Sequence, residues 1–401
     1  MSAVVASDLM RDDAPDVAAR AAAAPAHLPG LDGLRGLAIL LVVPHNLLPA
    51  SEATGWVSHA VMSVLERGWV GVQLFFALSG FLITGILLDT RRCDNSLRVF
   101  FARRVLRIFP LYYLMLVVML VLLPALHWPP NGHATAPAVL HSYWLYLSNW
   151  VSPYHQGEGV LPHLWSLAVE EQFYLVWPFL VGGLRARGVM VLAMGLTIAS
   201  LLVRLWMLAH GQPPEAVYQF TICRIDALVM GGAAAAALRE PQLARALALQ
   251  WRRVAWAALA ALLLGALVSR GYRPFGASAQ TLGYLMLSIG SALVVLAVAQ
   301  HDQRVREGGA AGLRWLRAPW LQRCGHYSYG MYMWHVPLAA MLGYPLLAHF
   351  GLGRGGVQPP AWVWGGYIVL GAVLTYGLAW CSYHAVERHF LAWKPRYRTA
   401  V

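Results

Sequence analysis

Residues 114–126 read LMLVVMLVLLPAL, an unbroken apolar run with no alternation between oily and polar positions. A strand with one face in water alternates with a period of two. A surface helix shows polar residues about once per turn. This run does neither, so both of its sides meet apolar surroundings. Extended upstream to Val105, it is long enough to cross about 30 Å of hydrocarbon at about 1.5 Å per residue. Stretches 189–205 and 256–268 have the same character and lack the dyad pattern of barrel strands. Only helices and closed barrels satisfy the backbone in lipid, so these are helices. Seven further segments complete the pattern, and the candidate spans are 35–50, 69–88, 105–126, 164–183, 188–209, 218–238, 254–269, 280–300, 326–349 and 362–383. The expected fold is an all-α integral membrane bundle of about ten transmembrane helices.

Composition agrees. Of 401 residues, 59% are hydrophobic and 12% charged, about half the charged fraction of a soluble domain. The net charge of +12 would raise the question of nucleic acid in a soluble protein, but topology explains it better. Of the 30 basic residues all but Lys394 are Arg. An even number of crossings puts both termini on one side, and that side holds all but six of the basic residues. Arg67, Arg270, Arg273 and Arg354 fall on the other side, and Arg204 and Arg224 fall inside spans. By the positive-inside pattern both termini are cytoplasmic, as in a multi-pass protein of a bacterial inner membrane. Residues 1–30, rich in Ala, Asp and Arg without an apolar core, read as a disordered cytoplasmic tail. Residues 31–390 form the transmembrane domain, and 391–401 a second cytoplasmic tail. The long external loop from His127 to Pro162 has an aromatic middle, Ala138 to Trp150, suited to the interface. Cys93, Cys223, Cys324 and Cys381 are scattered without metal-site spacing, so neither a metal nor a disulfide framework is expected.

Ionisable groups inside a membrane cost several kcal/mol and mark functional candidates. In LDGLRGLAILLVVPHN (31–46), Asp32 and Arg35 stand at the cytoplasmic entry, and His45 lies about 15 Å deeper. His45 is either a packing histidine beside the kink Pro44 permits or a proton carrier. In FFARRVLRIFP (100–110), Arg104 and Arg107 share a helix face. They serve as positive-inside flanks or as two forks for a phosphate. In HLWSLAVEEQFYLVWP (163–178), Glu170 and Glu171 lie about 10 Å below the external surface. They pair with Arg204 or Arg224, or they orient a partner such as His45. Arg224 and Asp226 carry the same ambiguity. His335 in SYGMYMWHVP (328–337) competes with His45 for proton transfer, and Ser79-Gly80 in GVQLFFALSGFLIT (71–84) reads first as close helix packing.

Taken in order, DGLRGLAILLVV-PH, GVQLFFALSGFLIT, FFARRVLRIFPLYY, LWSLAVEEQFYLVWP, Arg224-x-Asp226 and SYGMYMWHVPL resemble the acyltransferase-3 membrane family across residues 31–390. That family includes O-acetyltransferases of lipopolysaccharide, exopolysaccharide and peptidoglycan, and macrolide acylases. The resemblance implies transfer of an acyl group, usually acetyl from acetyl-CoA, to a hydroxyl of a sugar-containing acceptor. It implies that Arg35, Arg104 and Arg107 bind the donor, with His45, Glu170 and Glu171 in the catalytic role. Asp32, Ser79, Arg224, Asp226 and His335 are expected to bind substrate or support the site. His45 would act as general base or as a transient acetyl carrier. The sequence departs from the family in two places. Arg35 and His45 are ten residues apart where eleven is common, a difference of about 100° around a helix. His389 follows Glu387-Arg388 where the family often has Pro. Some members also carry an extracytoplasmic hydrolase-like domain, which is not expected from residues 1–401. The rival reading is a proton-coupled transporter or flippase of a glycan, although neither an inverted repeat nor paired broken helices stand out. A second rival is the unrelated membrane-bound O-acyltransferase fold, centred on His335.

Overall fold

A backbone surrounded by apolar side chains has only itself to bond to, and the chain folds accordingly. The computed structural model describes residues 28–48, 56–127, 136–155, 160–248, 250–309, 312–343 and 361–399. Every regular element among them is a helix. In order they are α1 (Pro29–Asn46), α2 (Trp56–Leu65), α3 (Val70–Thr90), α4 (Ser96–Val117), α5 (Pro137–Trp144), α6 (Leu164–Val181) and α7 (Ala186–Ala209). There follow α8 (Pro214–Gln219), α9 (Thr221–Ala237), α10 (Pro241–Ala248), α11 (Trp251–Val268), α12 (Tyr284–Arg306), α13 (Pro319–Leu338) and α14 (Ala361–Ser382). Short 3-10 and π turns extend several of them, such as Val118–Leu122 after α4 and Ala339–Gly343 after α13.

Seven helical stretches are long and apolar enough to cross a membrane by length and composition: 60–90, 96–125, 186–209, 214–237, 251–268, 279–306 and 362–396. The other three long helices, α1, α6 and α13, carry the polar motifs. Their sequence excludes them from a simple apolar criterion, and packing shows why they tolerate it. No residue of α1 is exposed along its length; it is the central helix, held between α3 and α13. The bundle is inside-out by the standard of soluble proteins. Arg204, Arg224, Asp226 and Gln73 are fully buried, while Leu175, Phe179, Leu202, Leu263, Leu267 and Val373 project outward. That arrangement suits a lipid surround.

Two crossings set the geometry of the interior. A Cβ on Gly80 of α3 would lie 1.7 Å from the Leu228 carbonyl oxygen of α9, and one on Gly231 would lie 2.0 Å from that of Ala77. A Cβ on Gly36 of α1 and one on Gly325 of α13 would meet Leu321 and Asp32 backbone oxygens at 2.1 and 2.0 Å. Only glycine permits such backbone approach, which is how helices gain packing where the hydrophobic effect is spent. The crossing at Gly80 leaves its neighbour Ser79 facing the interior.

The expected C-terminal tail is docked as far as it is described. After α14 the chain turns through Tyr383–Glu387, Arg388–Leu391 and a 3-10 turn at Lys394–Arg396. Arg103 Nε donates to the Tyr397 carbonyl (3.0 Å) and Asn95 Nδ2 to that of Arg398 (2.9 Å), fastening this segment to the start of α4. In the expected external loop, α5 packs on α4 and a short helix at Ser148–Val151 packs on α6. There Tyr112 Oη donates to the Tyr143 carbonyl (2.6 Å) and its ring stacks on Tyr146 at 4.2 Å. Residues 1–27 of the expected N-terminal tail lie outside the described residues.

Candidate active site

Five helices turn one stripe each toward a common cavity. Its lining includes Arg35 of α1, Phe75, Phe76 and Ser79 of α3, and Arg104 and Arg107 of α4. It continues with Ser166, Glu170 and Tyr174 of α6 and Ser328, Tyr329 and Tyr332 of α13. Apart from the adjacent pairs Phe75-Phe76 and Ser328-Tyr329, the residues of each helix recur at intervals of three or four, the spacing of one helical face. The cavity, with the solvent at its opening, encloses about 800 Å³.

The predicted residues divide clearly. Arg35, Ser79, Arg104, Arg107 and Glu170 come together on this cavity. Arg35 lies 3.8 Å from Asp32, the companion one turn earlier. Tyr174 Oη donates to Glu170 Oε2 (2.7 Å) and lies 3.0 Å from Ser79 Oγ, whose own proton can complete the chain. The Arg104 guanidinium sits over the rings of Tyr174 (5.4 Å) and Phe100 (5.8 Å). Arg104 and Arg107 donate no hydrogen bond and form no ion pair among the described residues. Their forks are open to an anion.

Glu171 turns away, as a neighbour on a helix must, by about 100°. It faces the tyrosines of α4 and the loop, and its Oε1 is buried without a hydrogen-bond partner. Neither glutamate pairs with Arg204 or Arg224, the ion pairs anticipated above. Arg204 instead donates to Asp226 Oδ2 (2.7 Å), Cys223 O (2.6 Å) and Ser200 Oγ (3.1 Å), because α7 packs directly on α9. Arg224 lies in an aromatic box, its guanidinium carbon 4.4 Å from the ring centre of Tyr284 and 5.1 Å from that of Tyr218, with Trp165, Trp69 and Phe76 beyond. Its Nη2 donates to Gln73 Oε1 (2.6 Å).

His45 does not line the cavity. The face that carries Arg35 continues through Ala38, Ile39 and Val42 to position 46. A residue ten on from Arg35 lies about 80° off that face, and one eleven on lies about 20° off. Asn46 therefore occupies the place where the family's usual spacing would put the histidine, and it donates to the Val42 carbonyl (3.0 Å). His45 turns toward the α2–α3 junction, its Nδ1 3.2 Å from the Leu65 carbonyl.

The stripes of α6 and α13 continue beyond the cavity, and each ends on a histidine. His163 precedes Ser166 by three residues, and His335 follows Tyr332 by three. Their rings lie 5.1 Å apart, at the end away from the arginines. Tyr332 Oη joins them to the cavity, donating to the His163 carbonyl (2.7 Å) with Ser166 Oγ at 2.6 Å. His335 is fully buried, and its Nδ1 lies 2.7 Å from the Tyr332 carbonyl. A carbonyl only accepts, so Nδ1 carries the proton and Nε2 presents a lone pair. That Nε2 has no hydrogen-bond partner among the described residues, and the His163 ring stands within reach of the Met333 carbonyl. His45 stands within electrostatic reach of His335. His163 was missed by sequence reasoning, yet stepping back along α6 from Glu170 by four and then three residues would have reached it. Among the described residues, no cluster of three His, Cys, Asp or Glu side chains is placed to hold a metal ion.

A helical protein whose internal cavity is lined by unpaired arginines, with buried histidines one turn beyond its lining on two of the same helices, has the layout of a membrane group-transfer protein. The comparisons make the assignment specific: residues 28–383 match the acyltransferase domain of the acyltransferase-3 family, and the chain belongs to that family. A Bacillus subtilis protein named as a peptidoglycan O-acetyltransferase is 32% identical over 388 residues, covering 90% of this chain and 54% of that protein. The peptidoglycan O-acetyltransferase of Listeria monocytogenes is 29% identical over 79% of this chain and 50% of its own length. An O-acetyltransferase of Staphylococcus aureus is 36% identical over 39% of this chain and 25% of its own. The chain spans about half the length of the first two relatives. No solved structure matches.

Proposed function

We propose that this protein is an O-acetyltransferase of a bacterial inner membrane, with ten crossings and both termini in the cytoplasm. It moves an acetyl group from acetyl-CoA to a hydroxyl of a carbohydrate polymer of the peptidoglycan class. The observation that carries this reading is a cavity lined by open guanidinium forks, with two of its lining stripes, on α6 and α13, running one turn further to a buried base. The acceptor class is supported by the names of the relatives, and the ten crossings by α1, α6 and α13 being of spanning length and buried beside the seven apolar stretches.

The arginines fit the donor by their chemistry. Planar forks with unengaged N–H groups bind phosphate oxygens in pairs, and Arg104 and Arg107 lie at the basic, cytoplasmic end. The acyl thioester then points along the cavity toward the histidines. In the reaction the acceptor oxygen bonds to the thioester carbonyl carbon as the carbon–sulfur bond breaks. The hydroxyl proton passes to a histidine and from there to the departing thiolate. His335 is placed for that role by its fixed tautomer, and His45 and His163 stand beside it. Arg35 is held near the cavity by Asp32. The Ser79, Tyr174 and Glu170 chain holds donors in the middle, where charge develops on the carbonyl oxygen. An acetylated histidine as a carrier would split the same transfer into two steps.

The test uses purified protein in nanodiscs, acetyl-labelled acetyl-CoA and soluble peptidoglycan fragments. Alkali-labile labelled ester on the fragments, formed by the native protein and not by Arg104→Ala/Arg107→Ala, supports the reading. Donor that neither binds nor turns over in the native protein sinks it.

A further inference from the structure

Outside the cavity lining, within electrostatic reach of its arginines, stands a basic residue from the other end of the chain. Lys394, the only lysine among 30 basic residues, begins the 3-10 turn Lys394–Arg396. The bonds from Arg103 to Tyr397 and from Asn95 to Arg398 hold this turn against the first turns of α4. Arg107, Arg104, Arg103 and Arg35 all act on Lys394 electrostatically. Arg103 spends its Nε on the clasp, which leaves its two terminal nitrogens for another partner. Neither Lys394 nor Arg103, Arg104 or Arg107 forms an ion pair among the described residues. Glu387, on the same C-terminal segment, faces Arg107, one carboxylate against a group of cations.

Holding like charges together opposes folding unless something neutralises them. A free C-terminal tail would relieve the repulsion by swinging Lys394 into solvent, yet two hydrogen bonds and Pro395 keep it in place. An ammonium is a compact point charge suited to a phosphate, complementing the planar forks of the arginines.

We infer that Lys394, presented by the docked C-terminal turn, forms with Arg103 a second anion subsite at the start of α4, beside the cavity's arginines, and that it binds the phosphates of the donor's nucleotide end. The inference rests on the proposed acyl-CoA reading, and its ligand class is a phosphorylated nucleotide. A lipid headgroup phosphate offers the same chemistry from another source.

The experiment measures binding of CoA and of 3′,5′-adenosine diphosphate by the full chain in nanodiscs. One set of discs is zwitterionic only and the other contains anionic lipid. Native protein is compared with Lys394→Ala and Lys394→Arg, with thermal unfolding confirming that each variant is folded. Lys394→Ala is expected to weaken both ligands by about tenfold in either kind of disc, the loss of one charge-assisted contact. Lys394→Arg is expected to stay within about threefold of native. CoA binding by the native protein that Lys394→Ala leaves unchanged overturns this inference alone. A weakening confined to anionic discs also overturns it, and assigns the subsite to lipid. Absence of CoA binding by folded native protein removes the acyl-CoA reading and this inference with it.

Discussion

Replacing Asp226 by Asn separates architectural from chemical charge in the bundle. Arg204 and Asp226 are each fully buried, with Nη1 and Oδ2 2.7 Å apart. The substitution keeps the shape of the side chain and removes its charge. Arg204 would retain the Cys223 carbonyl and Ser200 hydroxyl as acceptors, but its positive charge would have no compensating partner in its surroundings. Breaking a buried ion pair from one side costs about 3–5 kcal/mol, whereas replacing both partners by apolar groups is often neutral or stabilising. Asp226→Asn is therefore expected to destabilise the protein by roughly 3 kcal/mol or more. Arg204→Met/Asp226→Leu should fall within about 1 kcal/mol of native. Reversible unfolding in bicelles titrated with SDS, followed by tryptophan fluorescence, measures each corner of the cycle. A single-variant cost below about 1 kcal/mol, or a double-variant cost equal to the sum of the two singles, refutes the reasoning. Because both residues stand outside the cavity lining, a folded double variant should also retain acetyl transfer.

Three further outcomes follow from the cavity. His335→Ala should lower kcat by about 10²–10⁴, and His45→Ala, off the cavity face, by less than about tenfold; equal losses in the labelled-acetyl assay would count against the helical-face argument. Tyr174→Phe removes the donor to buried Glu170, at roughly 1–3 kcal/mol. It should lower kcat/KM by about 5- to 150-fold, and native kinetics would show that the Ser79–Tyr174–Glu170 chain is idle. Gly231→Val would drive Cβ into the Ala77 carbonyl, which stands 2.0 Å from that position. It should destabilise the bundle by about 1–3 kcal/mol or more, and a native melting temperature would mean that the α3–α9 crossing relaxes freely.

Much of this architecture is legible in apolar runs, and the ways it exceeds them are physical. The run 105–126 marks where side chains tolerate lipid, but α4 begins at Ser96, because a helix does not stop where hydrocarbon ends. The same reasoning carries α12 to Arg306, past the expected end at 300. In the site, Arg104 and Arg107 share a stripe because of their spacing, and Glu170 and Glu171 must diverge because of theirs. Partner choice lies beyond a linear reading. Arg204 meets Asp226 instead of a glutamate because of how α7 and α9 are rotated against each other. The aromatic box of Arg224 draws rings from α6, α12 and the α2–α3 junction, segments far apart in sequence. His163 escaped notice because it stands just before an apolar helix and looks like loop. The stripe through Ser166, Glu170 and Tyr174 gives it meaning.

The separation of arginines and histidines along one cavity has its own logic. From His163 to Tyr174, where Arg104 sits, α6 rises about 16 Å. A base that must accept a proton works against any cation beside it, and a phosphate site needs several cations. Placed together, the two sets of groups would oppose each other's task in a medium that screens charge poorly. The fold puts Glu170, with its tyrosine and serine, between them on the same stripe. The arrangement calls for a donor with an anionic end and a neutral reactive end joined by an arm about as long as that rise. A flippase or proton-coupled transporter of a glycan has no use for a cluster of open phosphate-binding forks at the cytoplasmic end, and this asymmetry favours group transfer over transport.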